Sequence, residues 1–123
     1  HNMAMDGLTP LIFIDGKPFT FDTGATNTIL YESYYKENQK EIDSMYEPTK
    51  VKFAGAGGIA ELDGFLINLK LKIFDKQITL KEVQLLKTKV KKDEIVFGNI
   101  GQDLIKQFSK MTLNFDQMFI KFD

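Results

Sequence analysis

The 123-residue sequence contains no cysteine, and its single histidine is its first residue. The absence of cysteine excludes disulfide bonds and thiolate metal sites, and it leaves the redox compartment, and with it the localisation, undetermined. A lone histidine at a chain end also excludes, for practical purposes, a histidine-based catalytic triad. No thiolate or histidine-based site is therefore expected within the chain.

The sequence also lacks a long hydrophobic run and a strong charge of either sign. No apolar stretch approaches the about 20 residues that a transmembrane helix needs, so we expect no membrane insertion. The formal net charge is −1, which provides no general field for binding nucleic acid. The short basic cluster between Lys87 and Lys92 is interpreted as a solvated loop, and a nucleic-acid contact is the weaker alternative.

Residues 11–123 are predicted to form one domain, because a chain of this length can bury a single core. Residues 1–10 are expected to be an N-terminal extension that is either disordered or a cloning remnant. The first residue is His1 rather than a methionine. The alternative that the chain is a processed or truncated piece of a longer precursor therefore stays open.

Short apolar and β-branched runs separated by turn residues predict a mainly β fold. Residues 11–14 and 17–21 flank Asp15-Gly16, a pair that suits the positive φ angles of a tight hairpin turn. Residues 67–73 alternate apolar and polar side chains, as a half-buried strand does. The second strand of the hairpin at residues 11–21 leads directly to Asp22.

Two helices are predicted among the strands. Helical spacing after the cap candidates at residues 26–28 predicts a helix that runs through Glu41. Near the C-terminus, Asp103 favours the start of a short helix with one apolar face. The chain is then expected to close with a hairpin of residues 111–115 and 118–122.

Asp22, Thr23, Gly24 and Ala25 follow directly after the apolar strand of residues 18–21. The strand is expected to lead Asp22 out of the core. Gly24 lets the backbone fold back beneath the carboxylate, where a Cβ would obstruct it. Thr23 supplies a hydroxyl that can brace the turn. Asp22 is therefore the candidate catalytic acid.

Residues 53–59 form a glycine-rich segment with the sequence Phe-Ala-Gly-Ala-Gly-Gly-Ile. Glycines allow a hairpin tip to curl over a ligand and to bind a peptide main chain through unsubstituted backbone. An ordinary hairpin loop is the alternative, and a phosphate-binding loop is disfavoured because no Lys-Ser or Lys-Thr pair follows Gly58. The candidate substrate-binding residues are Ala54, Gly55, Ala56, Gly57, Gly58 and Ile59.

A third segment at residues 100–105 has the sequence Ile-Gly-Gln-Asp-Leu-Ile, and Thr-Leu-Asn-Phe follows at residues 112–115. Gly98 and Gly101 are interpreted as structural glycines that support the candidate active-site turn. Asp103 is interpreted as a structural residue at the start of a helix, with a second catalytic acid within the chain as the alternative.

In this order, the three segments resemble the retropepsin-like aspartic proteases, the retroviral-type single-domain family, over about residues 11–122. In that family a Gly-X-Gly-Gly flap tip and an Ile-Gly-Arg-Asn/Asp-Leu-Leu helix accompany the Asp-Thr-Gly turn. The helix predicted after the turn departs from the retroviral enzymes, which are more strand-rich there. In this respect the chain is similar to a bacterial or cellular branch of the family. The resemblance implies a closed, β-barrel-like acid-protease fold, with that helix and a short one near the C-terminus.

The resemblance also implies roles for individual residues. Asp22 would be catalytic, Thr23 would form a reciprocal hydrogen-bonded grip with the partner's turn, and Gly24 would face the substrate. Ala25 completes the active-site turn, where many two-lobed enzymes have Ser or Thr.

The chemistry of this family needs two facing carboxylates, and the chain carries a single Asp-Thr-Gly. The resemblance therefore implies an aspartic endopeptidase that acts on peptide or protein substrates as a homodimer, with a water activated between two Asp22 carboxylates. This mechanism needs no metal site and no cofactor. One lobe of a longer two-lobed or processed protease is an alternative. A retropepsin-fold binding or dimerisation module without catalysis is another, because one fold can carry several functions.

Overall fold

A computed structural model of the protein describes residues 3–6, 9–55, 58–73, 76–89, 96–108, 111–114 and 119–122. The strands are β1 Met3–Asp6, β2 Thr9–Ile14, β3 Lys17–Phe21, β4 Ile29–Leu30, β5 Thr49–Gly55, β6 Gly58–Ile73, β7 Lys76–Leu86, β8 Gly98–Ile100, β9 Met111–Asn114 and β10 Phe119–Phe122. The helices are α1 Glu32–Glu37, α2 Gln39–Met45 and α3 Gln102–Ile105. The predicted mainly β class is confirmed.

The β2–β3 hairpin forms where the sequence predicts it. Asp15 and Gly16 occupy its turn with φ angles of 52° and 78°, which are the left-handed values that aspartate and glycine tolerate best. β1 pairs antiparallel with β2, so part of the segment predicted as an N-terminal extension belongs to the sheet.

The main sheet has eight strands in the order β1-β2-β3-β8-β4-β7-β6-β5, and β9 pairs with β10 in a separate hairpin. β8 lies between β3 and β4, parallel to β3 and antiparallel to β4. Parallel pairing places the C-terminal ends of β3 and β8 at the same edge of the sheet. The loop from β3 to β4 therefore crosses the end of β8, and this crossing builds the candidate site.

The sheet does not close into the expected barrel. β1 and β5 are the two ends of the strand order, and no ladder joins them within the described residues. The long strand β6 is shared between two hairpins, because its residues up to Gly64 pair with β5 whereas those from Gly64 to Ile73 pair with β7. β5 thus extends the sheet beyond one half of β6 instead of returning to β1.

The helices after the candidate active-site turn begin later than the sequence pattern predicts. Ile29 and Leu30 form β4, which pairs with both β7 and β8, and α1 begins at Glu32. The helical conformation is interrupted at Asn38, and α2 follows from Gln39. Strand pairing at Ile29 and Leu30 overrides the helical spacing because both sides of β4 find hydrogen-bonding partners in the sheet.

The core packs the sheet against the helices. β6 and β7 bury alternate side chains, which places Phe65, Leu69 and Leu85 fully inside. Ile100 of β8 and Leu104 of α3 are equally buried in the same cluster. Each such side chain contributes about 1.5–3 kcal/mol through burial. This packing anchors the segments on either side of Gly101 and gives the candidate site a rigid base.

Candidate active site

Asp22 lies at the point where β3 leaves the sheet. Phe21 is buried with 4% of its surface exposed, whereas the Asp22 side chain is exposed. The Asp22 N–H donates to the Ile100 carbonyl oxygen at 2.9 Å, which continues the β3–β8 ladder by one step. The backbone of Asp22 is therefore fixed by the sheet while its carboxylate faces solvent.

Gly24 orients the Asp22 carboxylate. Its N–H donates to Asp22 Oδ1 at 2.9 Å, and the Ala25 N–H donates to the Asp22 carbonyl oxygen at 3.2 Å. A Cβ at Gly24 would lie 3.3 Å from Asp22 Oδ1, closer than an ordinary van der Waals contact. A side chain here would therefore require the carboxylate to shift by a few tenths of an ångström.

Thr28 and Asp103 bind each other beneath the turn. Thr28 is only 2% exposed, and its hydroxyl donates to Asp103 Oδ1 at 2.6 Å while its N–H donates to Asp103 Oδ2 at 2.9 Å. The same hydroxyl accepts the N–H of Gly101 at 3.0 Å. Asp103 Oδ1 also accepts the Leu104 N–H at 2.9 Å. The Asp103 carboxylate is thus held by structural hydrogen bonds on both oxygens.

Glycines at the start of β8 and directly after its end permit close contact with β4 and with the crossing loop. A Cβ at Gly101 would lie 2.8 Å from the Asn27 carbonyl group and 2.9 Å from the Ala25 carbonyl oxygen. A Cβ at Gly98 would lie 2.7 Å from the Ile29 carbonyl oxygen. Real side chains do not tolerate backbone contacts this short, so both positions need glycine.

Residues of α3 complete the attachment of the loop. The Gln102 N–H donates to the Ala25 carbonyl oxygen at 2.8 Å, and the Asp103 N–H donates to the Thr26 carbonyl oxygen at 3.1 Å. The Gln102 side chain donates to the Thr23 carbonyl oxygen at 2.7 Å. Carbonyl groups of the turn are therefore bound by donors from a segment far away in the sequence.

Sequence reasoning missed Gln102 as a site residue and considered Thr28 only as a helix cap. Thr28 and Asp103 are 75 positions apart, and Gln102 and Thr23 are 79 apart. No local pattern marks such pairs. The only available signal was that each of the two segments contains a motif of its own, one around Asp22 and the other around Gly101.

The glycine-rich segment lies at the tip of the β5–β6 hairpin. Ala54 pairs with Ile59 and Gly55 with Gly58. Gly58 has φ of 112°, which an L-residue with a side chain rarely adopts. Ile59 is 76% exposed, which is unusual for an isoleucine. Ala56 and Gly57, which were also predicted as flap residues, lie outside the described residues.

The hairpin is tied to the rest of the sheet at its base. A Cβ at Gly64 would lie 2.1 Å from the Leu85 carbonyl oxygen, so β6 passes directly against β7 at this point. The Lys52 N–H donates to Gln84 Oε1 at 3.0 Å. On the solvent-exposed surface of the hairpin, Lys50 Nζ and Asp63 Oδ1 form a cross-strand ion pair at 2.5 Å. These contacts fix the base, while Gly58 and Ile59 at the other end of the hairpin are exposed.

The exposed Lys50–Asp63 ion pair on this hairpin shifts the pKa of both of its members. The hydrogen bond and charge of Lys50 lower the pKa of Asp63 below its usual value. The hydrogen bond and charge of Asp63 raise the pKa of Lys50 in turn. Both shifts favour the ionised pair, although exposed ion pairs contribute little to stability.

The surroundings of Asp22 differ from a metal site or an enclosed cavity. Within the part of the chain that the structure describes, no group of three or more His, Cys, Asp or Glu side chains could hold a metal ion. An open depression of about 630 Å³ runs along the α1–α2 junction, lined by residues such as Lys36 and Asp43, and does not include Asp22.

Among the described helices, none has the length and apolar character to cross a membrane.

No family model and no curated protein matches this sequence. Among solved structures, the chain is similar to the crystal structure of a retropepsin-like aspartic protease from Rickettsia conorii, with 16% sequence identity and a TM-score of 0.47. The similarity covers 86% of this chain and 76% of that one. A likeness of this size does not transfer an activity to this chain.

Proposed function

We propose that this protein is an aspartic endopeptidase that hydrolyses peptide bonds as a homodimer, with one Asp22 from each copy. The observation that carries this proposal is the Asp22 turn. Its carboxylate is exposed and oriented by the Gly24 N–H at 2.9 Å, while the backbone behind it is bound to β8 and α3. An exposed acid on so constrained a turn is suited to chemistry at a fixed position.

A second copy supplies the partner carboxylate in this mechanism. Two carboxylates about 3 Å apart hold one proton between them, so one acts as a base and the other as an acid. The ionised Asp22 takes a proton from a bound water as the water oxygen attacks the peptide carbonyl. The protonated Asp22 donates to the carbonyl oxygen. Collapse of the tetrahedral intermediate then breaks the C–N bond. The carboxyl group that took the water proton donates it to the leaving amine nitrogen, and a hydroxyl proton of the intermediate returns to the other Asp22.

The β5–β6 hairpin tip is proposed to cover the substrate. The backbone at Gly55 and Gly58 would bind the main chain of an extended peptide, and the exposed Ile59 side chain would contact substrate side chains. The exposure of Ile59 at 76% and the positive φ of Gly58 support this role. The substrate class is therefore a peptide or an extended protein segment.

The decisive experiment compares Asp22→Asn with Asp15→Asn in a peptide-library digest. The two substitutions are chemically identical, and both side chains are exposed. Asp15 lies in the β2–β3 turn at a φ of 52°, which asparagine also tolerates. We expect Asp22→Asn to abolish cleavage with an unchanged melting temperature, while Asp15→Asn retains wild-type cleavage.

Dilution distinguishes the alternatives. For a homodimer, specific activity falls on dilution in parallel with the dimer fraction seen by sedimentation velocity. A monomer that is inactive at every concentration would favour one lobe of a longer protease. A dimer that cleaves no peptide would favour a binding module. Cleavage retained by Asp22→Asn would remove Asp22 from the mechanism.

A further inference from the structure

Gln102 holds the candidate active-site turn at two points. It is the first residue of α3 and is half-buried. Its backbone N–H donates to the Ala25 carbonyl oxygen at 2.8 Å, and its side-chain Nε2 donates to the Thr23 carbonyl oxygen at 2.7 Å. The side-chain bond reaches the residue that immediately follows Asp22.

The Thr23 carbonyl and the Gly24 N–H belong to one peptide group. A peptide group is planar, and in its trans form the C=O and the N–H point in opposite directions. A donor that fixes the Thr23 oxygen therefore also fixes the direction of the Gly24 N–H. That N–H donates to Asp22 Oδ1 at 2.9 Å. The contacts form a continuous chain from the Gln102 amide through the peptide group to the carboxylate.

We propose that Gln102 is a positioning residue for Asp22, which it orients through the Thr23–Gly24 peptide group. Hydrogen bonds in such a chain polarise one another, because a carbonyl that accepts a hydrogen bond makes the N–H of the same peptide group a stronger donor. The catalytic consequence depends on the proposed aspartic peptidase function. The geometric linkage between Gln102 and Asp22 is independent of that proposed function.

The side chain of Gln102 is separable from its structural role. Removing it leaves the bond from the Gln102 N–H to Ala25 intact, since that donor is backbone. The network of Thr28, Gly101 and Asp103 does not include the Gln102 side chain. The fold is therefore expected to survive substitution, while the peptide group gains freedom to rotate.

The test compares Gln102→Ala and Gln102→Glu with Gln107→Ala and Gln107→Glu. Gln107 is a matched control on the turn that follows α3, because its Nε2 donates to the Asp103 carbonyl oxygen at 3.3 Å and does not reach the Asp22 turn. Glutamate keeps the length of glutamine, but an ionised carboxylate has no proton to donate to a carbonyl oxygen.

The first readout is the NMR signal of the Gly24 amide. Asp22→Ala removes the acceptor and so defines the proton shift of the broken bond. We expect both Gln102 variants to move the Gly24 amide shift toward that value, and both Gln107 variants to leave it at the wild-type position. An unmoved Gly24 signal in the Gln102 variants would overturn the inference, whether or not the protein cleaves peptides.

The second readout is steady-state cleavage. Misplacing a catalytic group by about 1 Å can cost about a hundredfold in rate, so we expect kcat to fall by roughly ten- to a hundredfold in both Gln102 variants with KM nearly unchanged. Equal losses in the Gln107 variants, or a rise in KM alone, would overturn the positioning role. A wild-type protein without activity but with the expected amide shifts would refute the proposed function and leave the linkage established.

Discussion

Thr28 and Asp103 are joined by paired hydrogen bonds across 75 positions of sequence, from the Thr28 hydroxyl to Asp103 Oδ1 at 2.6 Å and from the Thr28 N–H to Asp103 Oδ2 at 2.9 Å. The hydroxyl also accepts the buried Gly101 N–H. The Thr28 side chain therefore connects the end of the candidate active-site loop, the end of β8 and the start of α3.

We predict that Thr28→Val destabilises the protein by about 1–3 kcal/mol, because it leaves the buried Gly101 N–H without an acceptor and deprives Asp103 of a donor. Thr28→Ser keeps the hydroxyl and is expected to recover most of the loss. Thr79→Val, at an exposed position on β7, provides the control for the same chemical change. Urea unfolding measures all three, and equal midpoints for Thr28→Val and Thr79→Val would contradict the prediction.

Substitutions at two glycines of the candidate site are expected to affect stability and activity differently. Gly101→Ala places a Cβ 2.8 Å from the Asn27 backbone, and we expect a loss of about 1–3 kcal/mol or more because the backbone cannot move aside cheaply. In Gly24→Ala the added Cβ would contact only the Asp22 carboxylate, with its Oδ1 at 3.3 Å.

For Gly24→Ala we therefore expect stability within about 1 kcal/mol of the wild type and a strong reduction of peptide cleavage. Urea unfolding and initial rates, measured on the same preparations, check both variants. A Gly24→Ala protein with full activity would show that the carboxylate tolerates displacement.

The hairpin tip offers a second matched comparison. Gly58 and Gly16 both have positive φ, at 112° and 78°, and a Cβ at either would meet no atom within 4 Å. Gly58→Val and Gly16→Val thus introduce the same kind of backbone strain, about 1–2 kcal/mol each.

We expect similar losses of melting temperature in the two variants but a fall in kcat/KM only for Gly58→Val, since Gly16 lies in the β2–β3 turn. Parallel losses of stability and activity in both would identify the tip as a structural turn instead of a substrate flap.

The Lys50–Asp63 pair predicts a local dependence on pH. Lys50 lowers the pKa of Asp63, so the folded-state value lies below the unfolded one. The stabilising contribution is therefore present above the ordinary carboxyl pKa of about 4 and is lost as the pH falls through the folded value.

Lys50→Met should raise the pKa of Asp63 toward its ordinary value, whereas Lys52→Met on the same strand should leave it unchanged. A carboxyl-carbon NMR titration of Asp63 reads this directly. The shift should also shrink at high salt, because both side chains are exposed.

Local features of this protein were predictable from sequence because their causes lie within a few residues. The Asp15-Gly16 turn follows from the positive φ angles that these residues tolerate. Alternation along residues 67–73 predicts the buried face of β6, and the structure buries Ile67, Leu69, Leu71 and Ile73. The C-terminal hairpin of β9 and β10 was predicted from the same kind of pattern.

Other features were decided only by the tertiary structure. The helical spacing after residues 26–28 predicted a helix too early, because it contains no information about the strands that pair with Ile29 and Leu30. The expected barrel closure was an implication of family resemblance, and the division of β6 between two hairpins produces an open sheet instead.

The placement of an acid, a hydroxyl and a glycine directly after a buried strand could be predicted from the sequence, because side-chain chemistry and φ preference are local properties. The sequence did not determine what holds that turn. Ile100, Gln102 and Asp103 contact the loop because β8 lies between β3 and β4 in the sheet. Contacts between segments more than 70 positions apart depend on how the whole core packs, and no periodicity within either segment encodes them.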